Sequence, residues 1–396
     1  IILYILCMKK NSIPLFKVFM SPTAPEKVKK VLESGFIGEG KQVKVFEDRL
    51  KKYIGTENII TTNSATSALH LTLHLIKNSI QGHTSYNWPL INDGDEVLTC
   101  PLTCTATNWP ILANNLNLKW VDVDKSTCNI CLDDLKKKLS SKTKIIMLVH
   151  WGGNPVDLKK VEEIKNYTEK KYGFRPIIIE DASHAFGSEY MGQKLGTIKN
   201  NNIIVYSFQA IKHITSIDGG CIILPDKKLT KKARLLRWYG IDREDNANVF
   251  RCESNISEWG FKFHMNDVCA TVGIENLKYV DKLLKINIRN ANYYTKHLKD
   301  NPNITLLKIN KKVSPSYWVY TIKVKNQINF IEKMTKNNIM VSRVHERNDK
   351  HSCVFKYVSK LPNVDDMVEE MICLPVGWWV TPQQTKKIVK IINDGW

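Results

Sequence analysis

Between about residues 58 and 225, short β-rich runs alternate with stretches of helical spacing, and this alternation limits the folds open to the chain more than any other feature. "NIITT" precedes "SATSALHLTLHLI", in which Ala65, Leu69, Leu73 and Ile76 recur at the spacing of one helical face. The order continues through "DEVLTC", "ATNWPILANN", "LKWVDVD", "DDLKKKL", "KIIMLVH", "DLKKVEEIKNYTEKKYG", "PIIIED", "NIIVYSF" and "GGCIIL". Strand, helix, strand in this sequence predicts a mostly parallel sheet covered on both faces, because parallel neighbours need crossover helices.

Past "KKARLLRWYG" the pattern changes. The polar stretch "IDREDNANVFRCESNISEWG" reads as an irregular loop or arm. After it, "NDVCATVGIENLKYVDKLLKINIRNANYYTKHLKD" reads as one long helical stretch, and the tail alternates strands such as "YWVYTIKV" with helices such as "QINFIEKMTKN". The expected division is a large α/β domain over 8–250 and a smaller C-terminal α+β domain over 251–396 with the arm at its start. The opening "IILYILC" is too short for a signal-peptide core, and Met8 before "KKNSIP" reads as a natural start, so residues 1–7 read as an upstream extension.

The formal net charge of +19 raises the question of nucleic acid, since clustered Lys and Arg can neutralise phosphates. Here the basic residues are mostly Lys spread along the chain beside Asn and Ile, with no helix-turn-helix, zinc-finger or RNA-binding pattern, so no nucleic-acid partner is expected. A basic surface would still attract small anionic substrates. No apolar run approaches the roughly 20 residues that span a bilayer, and no membrane partner is expected. The ten cysteines are scattered. Cys128 and Cys131 have CxxC spacing, but no second pair follows at zinc-site distance, so neither a metal nor a disulfide is expected and the compartment reads as cytoplasmic.

In open parallel sheets, ligands bind beyond the carboxyl ends of the strands, and three features fall there. In "TTNSATSALH" a strand gives way to a helix at Ser64, Ala65 and Thr66, where free N–H groups and the helix dipole would hold a phosphate; a simple Ser or Thr cap explains the residues equally well. In "IIIEDASHAFGS" Asp181 ends a buried strand and needs a cation or a donor, with His184 close by; a carboxylate capping the next turn is the plainer account. In "IIVYSFQAIKHITSIDGGCII" Ser207 ends a strand, Lys212 follows, and Gly219 with Gly220 permits close backbone approach, although most lysines are solvated surface charges. Together they offer a phosphate cradle, a carboxylate for a ring nitrogen and a lysine able to form an imine, which is what pyridoxal phosphate chemistry asks of a protein.

In combination and order, "GEGKQVKVFE", "NSATSALHLTL", "DEVLTCPLTCTATN", "EDASHAFGS", "SFQAIKHITSIDGG" and "GFKFHMNDVCATVG" make the chain resemble the DegT/DnrJ/EryC1/StrS sugar aminotransferases, over nearly its whole length. The resemblance implies a fold-type I pyridoxal-phosphate-dependent transferase with pyridoxal 5'-phosphate as cofactor. It implies Lys212 as the Schiff-base lysine, Asp181 on the pyridine nitrogen, His184 beside the ring oxygen, Ser207 on the phosphate, and Ala65 with Thr66 as the phosphate turn. Two positions depart from the family pattern. Cys104 stands where an aromatic often stacks on the ring, and Lys262 stands where "GYNYRM" has Asn in a segment that reaches a neighbouring subunit's phosphate.

The implied activity moves an amino group from glutamate to a nucleoside-diphosphate keto-deoxy-sugar, expected to be a 4-keto-6-deoxyhexose, for amino-sugar biosynthesis. A homodimer with shared active sites goes with it. The other readings are an aminotransferase for a cyclitol or free keto compound, and a non-catalytic sensor of cofactor or nucleotide sugar. A related sugar 3-dehydratase has histidine where this chain has Lys212. In "SRVHERNDKHSCVF", His345, Arg347 and His351 are candidates to meet substrate, with Arg347 suited to a diphosphate; a plain polar loop of the smaller domain accounts for them equally well. "HWGGNPVD" matches a family segment, and His150 is assigned no chemistry.

Overall fold

The computed structural model describes residues 12–79, 84–242 and 255–396. Residues 1–7 and the centre of the expected arm, 243–254, lie outside the described residues. In chain order the elements are α1 (Ala24–Glu33), α2 (Lys41–Ile54), β1 (Ile59–Thr62), α3 (Ala65–Ser79), β2 (Glu96–Thr99), α4 (Thr105–Ala113), β3 (Asn117–Trp120), α5 (Leu132–Lys138), β4 (Thr143–Val149), α6 (Leu158–Tyr172) and β5 (Ile177–Asp181). There follow β6 (Glu189–Tyr190), β7 (Gln193–Lys194), β8 (Ile203–Ser207), β9 (Gly220–Ile223), α7 (Lys227–Leu236), α8 (Asp267–Leu277) and α9 (Val280–Leu298). The chain closes with β10 (Ile304–Leu306), β11 (Val313–Ser314), β12 (Tyr320–Val324), α10 (Gln327–Lys336), α11 (Pro362–Glu370), β13 (Met371–Leu374) and α12 (Pro382–Asn393).

A seven-stranded sheet runs β1-β9-β8-β5-β4-β2-β3. Its central strands are near-continuous apolar runs, buried except at Lys144 near the start of β4, because helices cover both faces. The β3-β2-β4-β5-β8 ladder is parallel, with Val149 opposite Asp181 and Asp181 opposite Val205. β9 is the exception: it runs antiparallel to both neighbours, so Gly220 lies opposite Ser207 on one side and Thr62 on the other. The carboxyl ends of β1, β5 and β8 therefore share one edge with the start of β9.

Smaller three-stranded sheets, β10-β12-β13 and β11-β6-β7, flank the large one. The first is packed by α9 and α12 around Tyr294, Ile322, Phe330 and Ile388. Ile13 joins that core and pairs in parallel with Ile339, so the first described residues pack with the last third of the chain. The helical stretch after residue 266 is two helices rather than one. Asn276 accepts the Ser21 N–H at 2.8 Å and donates to the Thr215 carbonyl at 2.8 Å, and the Tyr279 N–H tightens onto the Asn276 carbonyl before α9 begins. Among the described residues no helix is long and apolar enough to cross a membrane.

Two of the quoted motifs meet as structure. Asp267 opens α8 but caps α2, taking the N–H groups of Gly40 at 2.9 Å, Val43 at 3.1 Å and Gln42 at 3.2 Å. A Cβ on Gly40 would stand 2.8 Å from the Asp267 carboxylate, which is why glycine precedes the helix. Further along α2, Glu47 binds Arg237 at 2.7 Å and Arg234 at 2.9 Å.

Candidate active site

The chain leaves β1 at Thr62, and Ser64 turns it into α3: its Oγ accepts the Ser67 N–H at 3.0 Å. The Ala65 and Thr66 amides head the helix, where N–H groups have no intrahelical partner. A Cβ on Gly220 would lie 2.6 Å from the Ala65 nitrogen, so glycine there lets the sheet touch the helix start. Ser207, opposite Gly220, accepts the Gln209 N–H at 3.3 Å, and no acceptor takes its own O–H among the described residues. A cap, a strand-end hydroxyl and a side-chain-free glycine thus surround one corner.

Asp181 ends β5 and is 4% exposed. Its Oδ2 accepts the Thr107 hydroxyl at 2.7 Å and its Oδ1 the Ser183 N–H at 3.0 Å, so among the described residues two donors, and no cation at ion-pair distance, hold it. His184 is buried beside it on the same turn; its Nδ1 has no partner among the described residues.

Lys212 lies on the loop between β8 and β9, and its Nζ sits 3.8 Å from the centre of a Trp318 ring. Burial pulls its pKa down to about 8, against the opposing pull of Asp181 and then of Cys104. Cys104 stands at the N-cap of α4 with its thiol partly buried. Three imidazoles complete the group. His184 stacks on Trp318 at 3.9 Å and 17°, and His345 lies parallel to His184 at 5.6 Å and 7°. His213 meets the Ser316 carbonyl through Nε2 at 3.2 Å.

Burial first, and the Lys212 charge second, push His184 well below the ordinary histidine range and His345 down to about 3. Burial likewise brings His213 down to about 4. All three are therefore neutral at physiological pH, and each has a buried ring nitrogen without a partner among the described residues: Nδ1 of His184 and His213, Nε2 of His345. Unsatisfied buried polar atoms are rare in folded chains, and three on neighbouring rings are open to bonds from a water or a ligand.

The other sequence candidates separate. Lys262 is exposed; its backbone bridges to Trp238 and its carbonyl receives the Asn63 amide at 3.4 Å, which lays the segment along its own chain's β1–α3 corner. Arg347 is not free for a diphosphate. It is buried, its Nε and Nη2 grip Asp349 at 2.7 and 2.6 Å, and its Nη1 binds Asp365. His351 meets Trp109 edge-on at 5.7 Å. His150 is fully used, accepting the Val156 N–H at 3.0 Å and lying 2.9 Å from Glu180. The 346–349 loop is fastened below by Asn348, which binds Asn108 at 2.8 Å and the Thr103 carbonyl at 2.8 Å.

Trp318, Thr107 and His213 were not singled out from sequence. Thr107 stands in the quoted "PLTCTAT" and His213 directly after Lys212, so both could have been found by asking what faces a strand-end acid or a loop lysine. Trp318 carries no such signal.

The donor set fits pyridoxal 5'-phosphate. Ala65, Thr66 and Ser207 offer N–H and O–H groups at a helix start for a phosphate, Asp181 offers a carboxylate without a cation for the ring nitrogen, and His184 offers a free Nδ1.

A model of the DegT/DnrJ/EryC1/StrS aminotransferase family matches residues 20–393. A Campylobacter jejuni protein named UDP-4-amino-4,6-dideoxy-N-acetyl-beta-L-altrosamine transaminase is 33% identical over 298 residues, 74% of this chain and 71% of that one. The crystal structure of AtS13 from Actinomadura melliaura matches with a TM-score of 0.91 at 42% identity, over 98% of this chain and all 100% of the other. The sugar aminotransferase CalS13 from Micromonospora echinospora matches with a TM-score of 0.90 at 37% identity, over 97% and 100%.

Proposed function

Since the chain belongs to the DegT/DnrJ/EryC1/StrS aminotransferase family, with a fold-type I α/β architecture, we propose that this transaminase uses pyridoxal 5'-phosphate to move an amino group from glutamate to a keto-sugar carried on a nucleoside diphosphate. The observation that carries the reading is Lys212. It is a largely desolvated lysine brought to about pKa 8, with no hydrogen-bond acceptor at its Nζ among the described residues, at a sheet edge shared with Asp181 and Ser207. The sugar half of the proposal is supported by the names of the C. jejuni transaminase and of CalS13.

In this reading the bound cofactor supplies an aldehyde that takes up the amino group and a ring that spreads the electrons of the deprotonated carbon. The protein does the rest. The Ala65 and Thr66 amides and the Ser207 hydroxyl would hold the phosphate. The Asp181 carboxylate, steadied by Thr107, would hold the ring nitrogen in its protonated form. His184 Nδ1 would be the donor or acceptor for the ring oxygen. Lys212 Nζ would accept and release a proton, work that suits an amine near neutral pKa. Cys104 would offer a thiol in place of an aromatic stacking partner.

The proposal extends to a cytoplasmic homodimer whose Lys262 segment reaches the neighbouring copy's phosphate. Free cysteines at all eight described positions suit a reducing compartment, and Phe36 at 84% and Ile37 at 49% exposure offer apolar surface for a second copy to cover. The division into 8–250 and 251–396 belongs to the same proposal, with the β10-β12-β13 sheet as the heart of the second unit.

The test is an absorbance spectrum of the purified protein with pyridoxal phosphate, before and after excess glutamate. The expected result is a visible band that glutamate converts to the near-ultraviolet absorbance of the aminated cofactor. A visible band unmoved by glutamate would remove the donor from the proposal, and no band at all would remove the cofactor.

A further inference from the structure

We propose that Trp318 is a positioning residue for the reaction, its indole face serving as the seat on which the uncoupled Lys212 ammonium rests beside His184. The inference rests on the reading of Lys212 as the lysine that condenses with pyridoxal phosphate.

Trp318 is fixed on every side. It is 4% exposed. Its backbone N–H donates to the Gly152 carbonyl at 2.9 Å, and its indole Nε1 donates to the Ile211 carbonyl at 2.8 Å, one residue before the lysine. Phe16 stacks on it at 4.9 Å and 24°, and His184 at 3.9 Å and 17°. A ring held by its own N–H to the lysine's loop moves with that loop, so the seat and the ammonium keep their relation.

The seat answers a specific need. No carboxylate, carbonyl or hydroxyl lies at hydrogen-bond distance from Lys212 Nζ among the described residues, while the ring centre lies 3.8 Å away. The titratable groups that act on the lysine are Asp181 from the end of β5, Cys104 from the start of α4, and the imidazoles of His184, His213 and His345. The three imidazoles are neutral at physiological pH and give the ammonium no counter-charge. The negative face of an indole therefore joins Asp181 in keeping the lysine protonated, and such contacts strengthen when desolvated. By contrast, Lys17 lies 5.4 Å from Trp378 with its side chain in solvent, where the same contact has little to do.

Removing the π face while keeping apolar bulk takes stabilisation from the charged form only, so the Lys212 pKa falls. The experiment reads this without turnover. Cofactor-free protein is mixed with pyridoxal phosphate at a series of pH values and reduced with borohydride, and the pyridoxyl label on the Lys212 peptide is quantified by mass spectrometry. At a fixed pyridoxal phosphate concentration wild type sets the reference midpoint for half-labelling, below that of an ordinary lysine because burial lowers the Lys212 pKa. Trp318→Leu is expected to reach it about one unit lower, a tenfold change in the protonation equilibrium, with Trp318→Phe in between. If Leu prevents folding, judged by near-ultraviolet circular dichroism, Trp318→Met takes its place with the same expected shift. A Leu or Met variant labelled at Lys212 with the wild-type midpoint would overturn the seat and leave the reading of the lysine standing. Wild-type protein with no label at Lys212 would overturn both.

Discussion

Arg237 and Lys212 are both cations drawn largely out of water, and their surroundings are built in opposite ways. Arg237 is 1% exposed; its guanidinium meets Glu47 at 2.7 Å, the Thr61 carbonyl at 2.7 Å, and Glu39, with Nε lacking a partner among the described residues. Glu47 also accepts the Thr61 N–H at 2.8 Å and the Arg234 guanidinium. Burial alone would raise its pKa, but Arg237 and Arg234 bring it down to about 2. Around Lys212 the balance is reversed: one carboxylate already shared with Thr107 and Ser183, three neutral imidazoles each with an idle nitrogen, and an aromatic face. A buried charge answered by its own chain holds the fold. One left unanswered is available to something that arrives from outside.

Three experiments press on that contrast. The largest effect is expected from Lys212→Ala, which should cut aminotransfer from glutamate by at least about a thousandfold while the cofactor-free protein stays folded, since a desolvated amine is lost rather than a partnered one. Steady-state assay beside thermal unfolding reads both; normal turnover by this variant would show that the unanswered lysine is not the reagent.

Next is Arg237→Met, expected to lower stability by about 2–4 kcal/mol, because the buried Glu47 then keeps only the Arg234 guanidinium and the Thr61 carbonyl loses its donor. Urea unfolding measures it, and a loss under about 1 kcal/mol would mean that the cluster is not what fixes α2 to α7. The smallest effect is the acid limb. Glu47 has a folded pKa of about 2 against an ordinary 4.5, so its stabilisation is complete above about pH 4.5 and fades as pH falls toward 2, by about 3 kcal/mol in all. Glu47→Gln should flatten that part of the stability curve. Lys212 has the opposite sign: its folded pKa lies below its unfolded one, so it weighs against folding below about pH 8 and the cost is relieved as pH rises toward 10.5.

Sequence legibility follows the same line. Asp181, Ser207 and the Ser64–Thr66 turn were legible because each is the polar residue at which an apolar strand stops, and a parallel sheet gathers such stops at one edge. Lys212 was legible through its motif, since position in a loop alone does not distinguish one lysine from the rest. Trp318 was hidden because the sequence reads it as part of the strand "YWVYTIKV", whereas β12 begins only at Tyr320 and Trp318 reaches the lysine through tertiary packing. Arg347 misled for a related reason. Asp349 stands two residues away in the sequence, but nothing there shows Asp365 folding back to complete its neutralisation. The break between α8 and α9 was invisible to helical spacing because Asn276 is drawn off by Ser21 and Thr215, residues far away along the chain.

The reversed direction of β9 bears on the order in which the site comes together. Because β8 and β9 pair through a short connection, the lysine's loop closes on contacts between near neighbours in sequence, and such contacts form fast. β1, which ends at the phosphate turn, can join only by pairing with β9 from the far side of the whole alternating region, a slow closure. The lysine's loop thus joins two strands that are neighbours in the sequence, whereas the phosphate turn is brought beside it across the whole alternating region.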